Sequence, residues 1–134
     1  MALKIRENIV NSFTMPAGAV QIAAHSICSI ASSLLVIATA STEATGFFIV
    51  TEIGYASREV RCAGIGSICY VIAHDGDIAE GELVCAAALG RADSVAALTG
   101  ATQYTLGRAL CASSAAGQRI PILYGPEVAT KAAS

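Results

Sequence analysis

The chain has 134 residues, a length that suits one domain with a core of its own. Hydrophobic residues make up 54% of it and charged residues only 13%, about half of the usual charged share. A soluble monomer needs charged side chains to stay dispersed, so we expect copies of the chain or a partner to cover part of the surface. The net charge is −2 and the cations are scattered, which argues against nucleic-acid binding.

The chain contains five cysteines: Cys28, Cys62, Cys69, Cys85 and Cys111. The number is odd and no two have the spacing of a redox or metal-binding pair, which argues against a disulfide framework. Because each lies among apolar residues, we expect five thiols of the core or an interface, in a protein made in a reducing compartment. We expect no zinc site, since no second pair follows His25 and Cys28.

A stretch without Asp, Glu, Lys or Arg runs from Asn8 to Thr42. Within it, Ser33 to Ala40 is similar to the apolar segment of a secretory signal that ends in Ala-x-Ala. The apolar part is short and serines interrupt the stretch, so we expect neither a membrane span nor a removed leader. A buried strand or helix segment is the preferred interpretation.

Residues 1–16 show neither a helical nor a strand period, and the Pro-Ala-Gly sequence from Pro16 to Gly18 closes the segment. We interpret them as an N-terminal arm, which is long enough to reach an adjacent subunit when extended. A short edge strand of the same domain is an equal alternative.

Residues 17–125 form the predicted core domain. Ala19 to Ile30 fits either a strand or a short helix, and one short helix is possible around Ala17 to Ser32. Strands are predicted at Leu34–Thr39, Phe47–Ile53, Ser57–Cys62, Ile68–Ala73, Glu82–Ala87 and Val95–Leu98. His74 to Asp77 predicts a tight turn, because Asp-Gly is a strong hairpin signal. Strands at intervals of about ten residues predict a mainly β fold, a small single-domain β-barrel or β-sandwich with at most one short helix.

The clearest pattern lies near the C-terminal end, where two apolar runs flank the small-residue turn Ser113 to Gly117. Tyr104 to Ala112 predicts the first strand. Gln118 to Tyr124 predicts the second, since Ile120, Ile122 and Tyr124 alternate with Arg119 and Leu123. The stretch therefore predicts a hairpin that closes the domain, and residues 126–134 are expected to form a C-terminal tail.

No stretch carries a convincing catalytic or cofactor motif. Cys62 to Cys69 contains Gly-x-Gly but lacks the third glycine of a dinucleotide loop. His74 and Asp75 could assist a cysteine nucleophile, but five cysteines and two histidines produce such a combination by chance. The group Asp75, Asp77 and Glu80 lacks the calcium-loop spacing. We expect no catalytic residue, cofactor or metal; a Cys–His hydrolase is the less favoured alternative.

Four segments occur in an order that resembles the capsid decoration proteins, or cement proteins, of tailed bacteriophages. The segments are Asp77–Val84, Tyr104–Leu110, Ala115–Gly117 and Ile120–Leu123. In that family a strand with small, Gly, acidic and Leu-Val residues precedes a Leu/Ile-Gly-x-Ala-Leu strand, a small-residue turn with Gly and a final alternating strand. The similarity covers Gly76 to Pro126, under half of the chain. The N-terminal half departs from the family, which often opens with a polar β-hairpin.

The resemblance implies a non-enzymatic, β-rich homotrimer on the outer capsid surface of a virion, assembled in the host cytoplasm. Its partners would be the major capsid protein and its own copies, without nucleic acid or membrane. The arm and the tail would contact neighbouring subunits. The residues expected at that interface are Lys4, Ile5, Arg6, Ile9, Val10, Phe13, Glu127, Val128 and Lys131. A small β-barrel subunit or binding module of a cellular assembly is the alternative from another class.

Overall fold

The structure, a computed structural model, describes residues 5–39, 47–95 and 102–130. These residues form ten strands and one 3-10 turn, Ala88–Gly90. The strands are β1 (Phe13–Pro16), β2 (Ile27–Ala31), β3 (Leu34–Ile37), β4 (Phe48–Ile49), β5 (Glu59–Cys62), β6 (Ile68–Ile72), β7 (Leu83–Ala86), β8 (Ala92–Ser94), β9 (Thr102–Ala109) and β10 (Arg119–Thr130). The prediction of a mainly β fold is confirmed. No helix in the described ranges is long and apolar enough to cross a membrane.

The strands form three antiparallel sheets. The largest has the order β6-β10-β9-β7-β8, the second has the order β3-β2-β4, and β1 pairs with β5. Over the described residues the sheets do not close into a barrel. The two edges of the five-stranded sheet meet at a single parallel bridge, between Ala73 after β6 and Ala92 in β8. We call this meeting point the seam. It stays one bridge wide because β8 has only three residues and the chain turns at Asp75.

Two clusters of buried apolar side chains fill the interior. The larger packs the five-stranded sheet against β2 and β4, with Ile27 and Ile49 facing Val71, Leu106 and Ile122. The smaller cluster includes Ile22, Leu35 and Val60 and lies under the other two sheets. A buried hydrogen bond of 2.8 Å from the Tyr124 hydroxyl to the Phe47 carbonyl links β10 to the start of β4. The apolar side chains therefore pack, first of all, into a core within one chain.

The predicted closing hairpin is present as β9 and β10. Ile120, Ile122 and Tyr124 are buried, whereas Arg119 and Leu123 are exposed, so the predicted alternation is confirmed. The second strand is longer than predicted and continues to Thr130. A register shift between Tyr124 and Glu127 lets the ladder resume beyond Pro126. Residues 127–130, which belong to the predicted tail 126–134, thus pair with β9, and residues 131–134 lie outside the described ranges.

The predicted arm lies against its own domain over residues 5–16. Asn8 pairs with Ile68, and β1 pairs with β5 from Phe13 to Pro16. The backbone N–H and carbonyl of Val10 both bond to the hydroxyl of Ser67. The backbone donors and acceptors named here are satisfied within the chain. For residues 13–16 the structure therefore agrees with the alternative prediction, a short edge strand of the same domain.

The structure decides between the two alternatives for Ala17 to Ser32. The region forms β2 and turns, because Ile27, Cys28 and Ser29 are all buried in the sheet. The Asp-Gly turn does not join neighbouring strands, since β10 and β9 lie between β6 and β7. Most of the predicted strand Val95–Leu98 lies outside the described ranges.

Candidate functional site

The thiols are the first candidates for chemistry, and four of the five are buried. Cys28, Cys62, Cys69 and Cys85 are buried, and Cys111 is half-buried. Burial raises the pKa of Cys28 and of Cys69 to about 12 and that of Cys62 to about 11. A thiolate is the nucleophile in cysteine chemistry, so these three groups are poor nucleophiles near neutral pH.

His25 lies where the N-terminal segment crosses β6. Its Nδ1 is 3.8 Å from a carboxylate oxygen of Glu7, and its ring meets Tyr70 edge-on at 5.7 Å. Desolvation lowers the pKa of His25, against the opposing charge of Glu7, and Arg119 lowers it further. The Tyr70 hydroxyl donates to the Ile5 carbonyl, and the Tyr70 N–H donates to Glu7. These contacts hold residues 5–8 on the sheet and bring no thiol into a described contact with the imidazole.

The predicted interface residues have different outcomes in the structure. Ile5, Ile9 and Val10 are half-buried within the chain, and Ile9 packs against the larger core cluster. Arg6 is exposed, and Phe13 is 38% exposed while its ring meets Phe48 edge-on at 6.0 Å. Glu127 and Val128 lie in β10, and nothing is described of their side chains. Lys4 and Lys131 fall outside the described residues.

The distal part of the β9–β10 hairpin extends beyond the sheet. β6 pairs with β10 only from Arg119 to Leu123, and β7 pairs with β9 only from Thr105 to Arg108. Farther along, Thr102–Thr105 pairs with Glu127–Thr130. We call this two-stranded segment the ribbon. No third strand of the described chain borders its outer half.

The backbones of β9 and β10 approach closely at the base of the ribbon, and we call this point the crossing. Gly107 has a φ of 142°, and a Cβ at this position would overlap the carbonyl oxygen of Leu123. An open depression of about 280 Å³ lies there, lined by Ile65, Arg108 and Leu123 among others. Ile65 is 70% exposed and Leu123 is 47% exposed. The ribbon therefore begins beside exposed apolar side chains.

The seam brings together three residues that offer metal-ligand atoms. One ligand atom each of His74, Asp75 and Asp93 lies within 4.8 Å of the others. Burial raises the pKa of Asp93, and Asp75 and Asp77 act in the same direction, against the Ser94 N–H and His74. The oxygen-ligand group considered from the sequence was Asp75, Asp77 and Glu80, and it did not include Asp93. The order of the strands in the sheet places β8 beside His74, and residue spacing does not reveal that order.

Comparisons of the chain with protein-family models, with curated proteins and with solved structures found no match.

Proposed function

We propose that this chain is a non-enzymatic structural protein that binds the outer surface of a viral capsid as a trimer. It would stabilise the lattice by bridging coat subunits. The observation that carries the structural role is the ribbon, whose outer half is bordered by no third strand of the described chain. The choice of a capsid as partner comes from the resemblance to decoration proteins.

The ribbon supports an assembly role because two-stranded hairpins are marginal in water. Its outer strands expose backbone N–H and carbonyl groups that a further strand can pair with. A ribbon whose outer half is bordered by no third strand of the described chain gains stability when another subunit adds a strand or covers it. A trimer or a lattice contact would supply that cover.

Exposed apolar side chains support the same role. Ile65 and Leu123 flank the base of the ribbon, and both side chains are exposed. In a chain with only 13% charged residues, few charges remain to keep such a surface soluble. Burial of these side chains between subunits would be favourable, at roughly 25 cal/mol per Å² of apolar surface.

The segments that carry the resemblance fall together in the fold. They lie in or beside β7, β9, β10 and the loop between the last two, all of which belong to the five-stranded sheet or join its strands. The buried thiols of Cys28, Cys62 and Cys69 support the absence of cysteine catalysis. The work would be thermodynamic, since a protein that binds only the assembled lattice stabilises it by mass action. Many identical contacts would add avidity.

Light scattering on the full chain after size exclusion tests the self-association. The expected mass is about three times the 13.6 kDa chain mass. Replacing Ile65 by Lys at the ribbon base should lower this mass, because a charge is costly to bury in an apolar contact. Leu89→Lys is the matched control, since Leu89 is equally exposed but lies in the 3-10 turn next to β8. A strict monomer at all concentrations would contradict the trimer.

A further inference from the structure

The seam between β6 and β8 places three potential ligands on two edge strands of one sheet. His74 and Asp75 follow β6, and Asp93 is the middle residue of β8. An imidazole nitrogen and two carboxylate oxygens lie within 4.8 Å of one another. In a tetrahedral zinc site the ligand atoms are about 3.4 Å apart, given metal–ligand distances near 2.1 Å. Small side-chain rotations would therefore bring all three atoms onto one ion.

Hydrogen bonds and strand pairing hold all three residues in position, and Asp93 lies opposite Cys85 in the β7–β8 pair. The N–H of His74 donates to the Ala92 carbonyl at 2.7 Å, which fixes His74 beside the residue that precedes Asp93. The carbonyl of Asp75 accepts from the Ser113 hydroxyl at 2.9 Å. The same hydroxyl accepts from the Ile78 N–H, so the turn is tied on both sides of Asp77. The cluster is thus attached to ordered backbone and does not depend on free loop ends.

The cluster contains a buried imidazole nitrogen without a hydrogen-bond partner among the described residues, and a buried carboxylate whose described hydrogen bond comes from the Ser94 N–H. Nδ1 of His74 is inaccessible to solvent and has no hydrogen-bond partner among the described residues. The side chain of Asp93 is also buried, at 7% exposure, and no described lysine or arginine lies within ion-pair distance of it. Buried imidazole nitrogens and carboxylates are normally paired or bound to a metal.

We propose that His74, Asp75 and Asp93 form a binding site for a divalent transition-metal ion, for which Zn²⁺ is the suitable probe. The imidazole ligand favours such an ion over Mg²⁺ and Ca²⁺, which prefer oxygen ligands alone. Three protein ligands leave one position of a tetrahedral ion for water. The site goes beyond the proposed capsid role and does not depend on it.

The metal would cross-link the two edges of the five-stranded sheet. Without it, one bridge between Ala73 and Ala92 joins the two edges. An ion bound to residues of both edges adds a second link at the seam, where the sheet does not close into a barrel. Because the site needs both edges together, it exists in the folded chain and not in the unfolded one, so metal binding stabilises the fold.

Thermal unfolding of the chelator-treated full chain, with and without Zn²⁺, tests the proposal. At a free metal concentration of about 100 Kd, the midpoint should rise by roughly 10 °C. Mg²⁺ should shift it little. His74→Gln and Asp93→Asn should abolish the zinc shift, whereas Glu80→Gln, an exposed acidic neighbour outside the cluster, should retain it. If Asp93→Asn does not fold, Asp75→Asn at a half-buried position replaces it.

Absorption of the Co²⁺-loaded chain separates this site from binding to cysteine. Nitrogen and oxygen ligands give weak visible bands, whereas thiolate ligands add an intense near-ultraviolet charge-transfer band. The proposal predicts the weak bands alone, and predicts their loss in His74→Gln. A zinc shift that is absent in the natural chain, equal in all variants, or accompanied by the thiolate band would overturn it.

Discussion

Gly107 and the carbonyl group of Leu123 approach so closely that no side chain fits between β9 and β10 at this point. The crossing stands where the register of the two strands shifts, between Tyr124 and Glu127. One glycine therefore sets the bend from which the ribbon leaves the sheet. Three glycines of this hairpin differ in φ and in the space around an added Cβ, which makes the claim testable.

Gly107→Ala should destabilise the chain by at least about 3 kcal/mol, because both a positive φ and a backbone overlap oppose the new Cβ. Gly117→Ala should cost about 1 kcal/mol, since Gly117 has a φ of 82° but nothing within 4 Å of an added Cβ. Gly125→Ala should change stability by less than about 0.5 kcal/mol, because its Cβ would meet open space. Chemical denaturation measures all three, and equal losses at positions 107 and 117 would refute the steric role of the crossing.

The turn between β2 and β3 contains two serines with positive φ, 50° at Ser32 and 65° at Ser33. A two-residue hairpin loop of this shape favours Asn-Gly, and serine is strained there. Ser33→Gly should therefore raise the free energy of unfolding by roughly 0.5–1 kcal/mol.

Ala116→Gly is the matched control for this turn. Ala116 is an exposed turn residue that lacks positive φ, so glycine there should lower stability slightly through chain entropy. Urea denaturation of both variants gives the two signs. A loss of stability in Ser33→Gly would show that the turn does not have the described conformation.

The buried thiols predict a loss of stability at alkaline pH. Cys28 and Cys69 have a folded pKa of about 12 and Cys62 of about 11, each above the pKa of 9.0 that a thiol has in the unfolded chain. Their protonated forms favour the fold, so this stabilisation is complete below about pH 9 and is lost as pH rises towards 12. Each thiol contributes up to about 1.4 kcal/mol per pH unit in that range.

Cys69→Ser should make the alkaline loss less steep by about the contribution of one thiol. Cys111→Ser is the control, because Cys111 is only half-buried. The measurement is the free energy of unfolding at several pH values above 9, with the thiols kept reduced. A stability that does not change up to about pH 11 would contradict the burial of these thiols.

Local period-two patterns made much of the fold predictable. The alternation of Ile120, Ile122 and Tyr124 placed one face of β10 in the core, and Val60 and Cys62 of β5 obey the same rule. These predictions need only neighbouring residues, since a strand turns successive side chains to opposite faces. The hairpin of β9 and β10 followed for the same reason.

Contacts between distant segments were not predictable in this way. The pairing of Asn8 with Ile68 and the meeting of Ala73 with Ala92 depend on sheet order, which no local pattern encodes. The Ser32-Ser33 turn contains no Gly, Asn or Asp, the residues that favour positive φ, so its backbone conformation has no sequence signal. For the same reasons the candidate metal cluster could be found only in three dimensions.

Heating of purified capsids tests the central claim most directly. Capsids assembled from the coat protein of the proposed partner virus would be prepared with and without this chain, imaged, and heated until they open. We expect the chain as added density on the outer surface where coat subunits meet, and a higher opening temperature for capsids that carry it. Failure of the chain to bind, or equal heat resistance of the two preparations, would contradict the proposed function.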